Sequence, residues 1–382
     1  LKKIIIAIIL FILTSQAASA NAEENSKPSK LYSESAVMID TDTGTILYQK
    51  NAKRRMTPAS ITKVATAIYA VENGDLDSMV TISKNAAETE GSSVYLLEGE
   101  QLPLKQLIAG MMINSGNDAA VAIAEHLDGS VENFSRNLNE FLKEKAGVNN
   151  THFTNPHGLY DKEHYTTAED MAHITSYAVK NPAFQELSSL KEYEWKGEGW
   201  ETTLFNHHKM VKGELVYPEV TGGKNGFIEE SKHTLVTTAA NESLSVAVIL
   251  LKAQSKKAAY KDTTSLLDYG LNGFIRNSIP AGKIYKAGDK EFISGNEITY
   301  TSLIGDDAEL TVDRTGRLTQ LMDGKEQLIG ELPIVPEQTE PKETKQGQES
   351  STVKSQLVLY PVYLYAALLL IAGTAFLRNK KS

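Results

Sequence analysis

The sequence predicts an α+β protein, and three observations carry that prediction. Strand-like segments open the main part of the chain, a run of amphipathic helices interrupts them, and further strands with one last helix close it. That order points to a mixed sheet whose helices come partly from a mid-chain insertion. Past residue 275, turns such as "DRTG" and "MDGK" separate short apolar segments, which predicts a small β domain over 276–332. The 382 residues leave room for a large core and this second domain.

In chain order, residues 1–20 have a basic start, an apolar run from Ile4 to Leu13 and the small-x-small end Ala18-Ser19-Ala20. They read as a secretory signal cleaved after Ala20; as a retained anchor the run would be shorter than the roughly 20 residues a spanning helix needs. An N-terminal segment, 21–31, leads into the main domain, 32–275. "ESAVMIDTDTGTILYQKN" reads as two strands around Asp42-Thr43-Gly44, and "TPASITKVATAIYAVENG" as a helix with Ile61, Val64, Ala65 and Ile68 on one face. Helices are expected near 103–113, 117–127, 130–146 and 167–179. From about 191 to 251 the pattern turns to strands, with "HTLVTTAA" and "SLSVAVILL" as the clearest hairpin, and a helix over 256–274 closes the domain.

The far end is of another kind. Residues 333–356 are polar and Pro-containing and read as a disordered tether. Residues 357–377 are almost wholly apolar and, at ~1.5 Å each, span about 31 Å, which predicts one transmembrane helix. Tyr360, Tyr363 and Tyr365 form an interfacial belt, and the basic tail 378–382 puts the C-terminus in the cytoplasm by the positive-inside rule. The expectation is a single-pass protein of the cell membrane with its folded part outside the cytoplasm.

No cysteine is present, so disulfides, thiol catalysis, Cys-ligated zinc and lipidation of an N-terminal Cys are excluded. The net charge of -9 argues against nucleic acid as a partner. His-Glu-x-x-His is absent. His157 in "NPHGL" reads as a turn residue, and His207-His208 on a strand would point to opposite faces, so no metal and no cofactor is expected.

Chemistry concentrates at three places. "TGGKNGFI" sets Lys224 among glycines, yet it lacks the glycine spacing of a phosphate loop and reads as strand. "PASITK" puts Ser60 and Lys63 three apart, on one face of a helix, where a lysine kept neutral by burial can take the serine's proton. "INSGNDAA" places Ser115-Gly116-Asn117 between two helices. Each piece alone is common; the order Ser-x-x-Lys, Ser-x-Asn, Lys-x-Gly is specific.

With these motifs the chain resembles the penicillin-recognising serine enzymes, and most closely the serine-type D-alanyl-D-alanine carboxypeptidases, the low-molecular-mass penicillin-binding proteins. The likeness runs from about 33 to 275 and takes in "SAVMIDTDTGTILYQKN", "PASITK", "EGSSVYLLEGE", "SGNDAAVAIAEH", "NTHFTNPHGL", "HYTTAEDMA" and "YPEVTGGKNGF". It implies an antiparallel sheet flanked by helices with an all-helical subdomain, the β-lactamase/DD-peptidase-like fold, and a small β domain before a membrane attachment. It implies Ser60 as nucleophile, Lys63 as base and Ser115 as proton relay. Asn117 would hold the substrate amide, the N–H groups of Ser60 and Phe227 would form the oxyanion hole, and Lys224 would attract the terminal carboxylate beside Gly226. Peptidoglycan stem peptides would be substrates and β-lactams acylating ligands.

The chain also departs from that family. The usual Lys-Thr-Gly is Lys224-Asn225-Gly226, and a Thr often found two residues on is Ile228. The basic residue that grips the carboxylate upstream of this strand is best matched by Lys209 in "NHHKMV". A catalytically weakened, membrane-tethered peptidoglycan- or penicillin-binding protein is therefore the alternative reading. A β-lactamase would need a deacylating Glu-x-x-Leu-Asn after the second motif, and none stands between Asn117 and Lys224.

Overall fold

The computed structural model describes residues 27–28, 30–305, 308–322 and 324–335. Ser35–Asp40 (β1) turns through Thr41–Thr45 into Ile46–Lys50 (β2). A 3-10 turn over Ala59–Ile61 runs into Thr62–Asn73 (α1). The short pair Met79–Thr81 (β3) and Gln101–Pro103 (β4) follows. The helical block is Leu104–Ile113 (α2), Asn117–Asp128 (α3), Val131–Ala146 (α4), Ala168–Ala178 (α5) and Pro182–Ser189 (α6). Its boundaries follow local chemistry. Ser130 and Thr167 accept the N–H of Asn133 and Asp170 as N-caps, while Gly129 and Gly147 end their helices in left-handed conformations.

Glu192–Lys196 (β5) and Glu201–Phe205 (β6) form a hairpin, then Val220–Ile228 (β7), Lys232–Ala240 (β8) and Ser245–Ala253 (β9) a meander, and Lys256–Gly273 (α7) crosses back. The main sheet has the order β2-β1-β9-β8-β7 and every pairing is antiparallel. The mixed sheet read from element order alone is thus corrected, and the antiparallel sheet that the resemblance implies is the one present. The helical insertion joins the two edge strands, β2 and β7, so no neighbouring strands are linked by the crossover that parallel pairing requires.

This sheet is buried on both faces. On β1, Val37 and Ile39 pack into the helical block while Ala36 and Met38 pack under α7, and β9 divides the same way between Ile249 and Val248. With side chains alternating across the pleat, two covered faces demand apolar residues at every position, which is why "SVAVILL" runs unbroken.

From Phe274 the chain passes directly into small β sheets. Phe274–Ile279 (β10) pairs with Ile298–Leu303 (β13), Ile284–Ala287 (β11) with Lys290–Ile293 (β12), and Leu310–Val312 (β14), Arg317–Met322 (β15) and Lys325–Glu331 (β16) form a three-stranded sheet. Phe274 and Met322 belong to the core beneath the main sheet, and the Arg276 guanidinium donates twice to the fully buried Asp40 carboxylate, at 3.1 Å each. A bidentate pair of this kind fixes direction as well as distance.

Among the described residues no helix is long and apolar enough to cross a membrane. The expected signal (1–20), most of the tether (333–356), the span (357–377) and the tail (378–382) lie outside the described residues.

Candidate active site

Ser60 sits in the 3-10 turn between Pro58 and α1, in the angle between the helical block and the edge strand β7. Ala59 before it holds φ +52, a strained value for a residue with a Cβ. Four contacts hold the turn there. Thr62 Oγ1 donates to the Ala59 carbonyl at 2.9 Å, His164 Nε2 lies 2.9 Å from that hydroxyl, Thr234 Oγ1 on β8 donates to the Pro58 carbonyl at 2.8 Å, and Gly158 packs directly on Ala59. A Cβ at Gly158, where φ is +91, would stand 2.0 Å from the Ala59 oxygen, so only glycine fits.

One turn on, Lys63 is fully buried. Its Nζ lies 3.2 Å from Ser60 Oγ and donates to Asn117 Oδ1 at 2.7 Å and to the His157 carbonyl at 2.8 Å. Burial first, and then the charge of Lys224, hold its pKa well below the ordinary lysine value, while Asp118 pulls the other way. A neutral amine has two N–H groups and one lone pair. With both hydrogens on Asn117 and His157, the lone pair is left for the Ser60 hydroxyl.

Ser115 lies between α2 and α3 with φ +62 and is buried. Lys224 reaches it from β7, Nζ donating to Ser115 Oγ at 3.1 Å and to the Asn225 carbonyl at 3.0 Å, and burial lowers the pKa of this lysine to about 7. Asn117 spends most of its amide on the protein: Oδ1 on Lys63, and Nδ2 donating to the Glu90 carbonyl at 2.7 Å. One N–H remains for a substrate. Gly226 faces the serine directly, since a Cβ there would lie 2.8 Å from the Ser60 nitrogen and 2.5 Å from Thr234 Oγ1. The packing of the serine turn against the strand demands a glycine here.

Ser60, Lys63, Ser115, Asn117, Lys224 and Gly226 are thus brought together, with Asn225 and Phe227 on the same strand. The Phe227 side chain is half exposed on the opposite face, its ring 4.7 Å from that of His233. Lys209 is not brought to the cluster. It begins the helical turn Lys209–Lys212, whose Met210 and Val211 are buried; its Nζ is 3.7 Å from Glu214, and its N–H donates to the Tyr260 hydroxyl. The groups of "NHHKMV" that feel the Lys224 charge are His207 and His208. His208 is buried, with Nε2 2.9 Å from Thr237 Oγ1.

Sequence reasoning missed two contributors. Asp118, wholly buried, accepts from Ser93 Oγ and from the N–H groups of Val94, Leu96 and Ala119, and so ties the 93–96 loop to the start of α3 beside Asn117. An acid directly after the Ser-Gly-Asn run was the available signal. His157 acts through its carbonyl on Lys63, a role that no side-chain motif can announce.

A serine beside a buried lysine, between an antiparallel sheet and a helical block, defines a serine-dependent acyl-transfer enzyme. The family model described as D-alanyl-D-alanine carboxypeptidase matches residues 21–255. The chain is 33% identical over 301 residues to D-alanyl-D-alanine carboxypeptidase DacF of Bacillus subtilis, covering 75% of this chain and 76% of that protein. It is 30% identical over 300 residues to DacA of Escherichia coli, covering 75% and 72%. Among solved structures, penicillin binding protein 5 from Haemophilus influenzae has the same fold, with TM-score 0.67 and 24% identity over 80% of this chain and 99% of that one. A serine-to-alanine mutant of the DD-transpeptidase of Streptomyces K15 matches with TM-score 0.60 and 29% identity over 64% and 99%. The chain belongs to the serine-type D-alanyl-D-alanine carboxypeptidases.

Proposed function

We propose that the protein removes the terminal D-Ala from peptidoglycan pentapeptide stems through an acyl-enzyme on Ser60. Lys63, held neutral, takes the hydroxyl proton as Ser60 Oγ attacks the carbonyl of the penultimate D-Ala. The N–H groups of Ser60 and Phe227 receive the developing oxyanion. Ser115 passes a proton to the leaving amine and is reprotonated by Lys63, which is neutral again, with Lys224 alongside supplying positive charge to the substrate's carboxylate. Water, deprotonated by Lys63, then attacks the ester, and the proton returns to Ser60. A β-lactam enters by the same attack, but its ring-opened product stays tethered and shields the ester from water.

The observation that carries this reading is the fully buried Lys63 nitrogen, 3.2 Å from the serine oxygen and held by Asn117 Oδ1 and the His157 carbonyl. A cleaved signal, a single span over 357–377 and a folded part outside the cytoplasm complete the proposal and match a substrate in the wall. The test is intact-mass analysis of the protein incubated with penicillin, beside Ser60→Ala, with D-Ala release from a pentapeptide. A Ser60-dependent adduct with release is expected. An adduct without release would favour the weakened binding protein that Asn225 and Ile228 motivate, and no adduct would overturn the acyl-enzyme.

A further inference from the structure

The helical wall of the site carries an aromatic ledge that the proposed reaction leaves unused. Tyr95 is 63% exposed, and Leu97, two residues on, is 47% exposed. Both stand on the loop that runs along Asn117: the Ser92 carbonyl accepts the Asn117 N–H at 2.6 Å, and the Glu90 carbonyl accepts from its side-chain amide. Three residues of extended chain reach at most about 10 Å, so Tyr95 borders the place where Asn117 would meet a substrate.

The exposure is built into the loop. Asp118 accepts from the N–H groups of Val94 and Leu96, whose side chains are buried, and Tyr95 is left between them facing outward. It adopts φ +61, a conformation that a bulky residue takes only when its neighbours hold it, and its N–H donates to Ser93 Oγ at 2.7 Å. Trp200, in the turn of the β5–β6 hairpin, meets the ring edge to face with centroids 5.0 Å apart, and its indole N–H donates to the Val94 carbonyl at 2.6 Å. Gly199 lets the hairpin close on the loop, since a Cβ there would stand 2.9 Å from the Tyr95 carbonyl oxygen. Strain of this kind, held in place at the margin of a site, points to recognition. The ledge also has a sign of charge. Glu90 and Glu98 are exposed, their carboxylates make no ion pair or hydrogen bond among the described residues, and the stretch 88–100 contains no lysine or arginine. An aromatic face with unpaired carboxylates near it suits an ammonium and disfavours an acid.

We propose that this ledge receives the side chain of the residue preceding D-Ala-D-Ala and selects a lysine-like one, its aliphatic part against Leu97 and Tyr95 and its terminal ammonium over the Tyr95 ring, in the field of Glu90 and Glu98. The assignment rests on the reading of Ser60 as acting on a stem peptide whose backbone is held at Asn117. From such a backbone a lysine-like side chain extends roughly 6 Å, five bonds, which brings its ammonium to the ledge. Tyr95 is then a specificity-determining residue on the wall that also carries the nucleophile.

The test uses the full chain carrying Ser60→Ala, so that binding is read without turnover. It is titrated calorimetrically with Nα-acetyl-L-Lys-D-Ala-D-Ala, with the same peptide acetylated at Nε, and with its norleucine counterpart, while D-Ala release by the unmutated enzyme is followed in parallel. The lysine peptide is expected to bind about fivefold more tightly than the other two. Adding Tyr95→Phe should keep that preference, and Tyr95→Leu, which retains apolar surface without a ring, should lose most of it. Glu90→Gln together with Glu98→Gln should lower the preference and its sensitivity to salt. Equal affinity for the three peptides, a preference untouched by Tyr95→Leu, or an equal loss for all three in that variant would each overturn the subsite. A preference that follows Tyr95, with no D-Ala released by the unmutated enzyme, would instead sink the carboxypeptidase chemistry and leave the subsite standing.

Discussion

The two walls of the site are built to different tolerances. The helical wall, which carries Ser60, Lys63, Ser115 and Asn117, is tied at each step: Asp118 ties the 93–96 loop to the start of α3, His164 and Thr62 fix the serine turn, and Asn117 and the His157 carbonyl fix the lysine. The strand wall is an edge, with Lys224 buried but Asn225, Phe227 and Ile228 at least partly exposed and with fewer side-chain contacts to hold them. Bond-making chemistry needs fixed geometry on the first wall. In the proposed reaction, recognition of the leaving residue falls to the second.

The sharpest break should come on the helical wall. Lys63→Met keeps the volume and removes the base, and acylation by penicillin is expected to slow by about 10³-fold or more, with Ser60→Ala abolishing the adduct; stopped-flow acylation would check both. On the strand wall Lys224→Gln should act on recognition, raising KM for a carboxylate-terminated peptide roughly ten- to a hundredfold with a smaller effect on kcat. If kcat fell as far as it does for Lys63→Met, the division between the walls would fail.

Where the walls meet, Gly226→Ala brings a Cβ within 2.8 Å of the Ser60 nitrogen. A stability loss of about 1–3 kcal/mol by denaturant titration is expected, together with slower acylation, since the serine turn must shift.

The effect of pH separates the walls by stability. His157, His164 and His208 are each held near a pKa of about 3, mainly by burial, and each accepts a backbone N–H at Nδ1, from Leu159, Thr154 and Val211 respectively. The folded values lie below the ordinary 6.5, so between these limits the unfolded chain binds protons that the fold refuses. Their contribution is full above about pH 6.5 and is lost as pH falls toward 3. The melting temperature should drop steeply on acidification, and His208→Gln should remove the strand wall's share of that slope. The smallest effect belongs to Lys209→Ala, less than about twofold in kcat/KM, because its side chain is exposed and paired with Glu214.

Much of this was legible in the residues. Periodicity located α2 to α5 and α7 closely, because helices with one apolar face and capped ends write their limits into the chain. Spacing alone made Ser60 and Lys63 neighbours. What stayed hidden depended on the third dimension. The all-antiparallel pairing follows from which edges the insertion connects, and nothing local encodes that. Lys209 was matched by charge type, whereas the residues of that stretch that feel the Lys224 charge are His207 and His208. The His157 carbonyl has no side-chain signature.

The most direct test of the central claim, a neutral Lys63 facing Ser60, is ¹⁵N NMR of side-chain-labelled lysine in the intact protein at pH 7, with Lys63 assigned by its disappearance in Lys63→Arg. An amine resonance at that pH, shifting to ammonium only on acidification, is the predicted result. An ammonium resonance at pH 7 would contradict it, and would mean that the lone pair assigned to Ser60 does not exist in the resting enzyme.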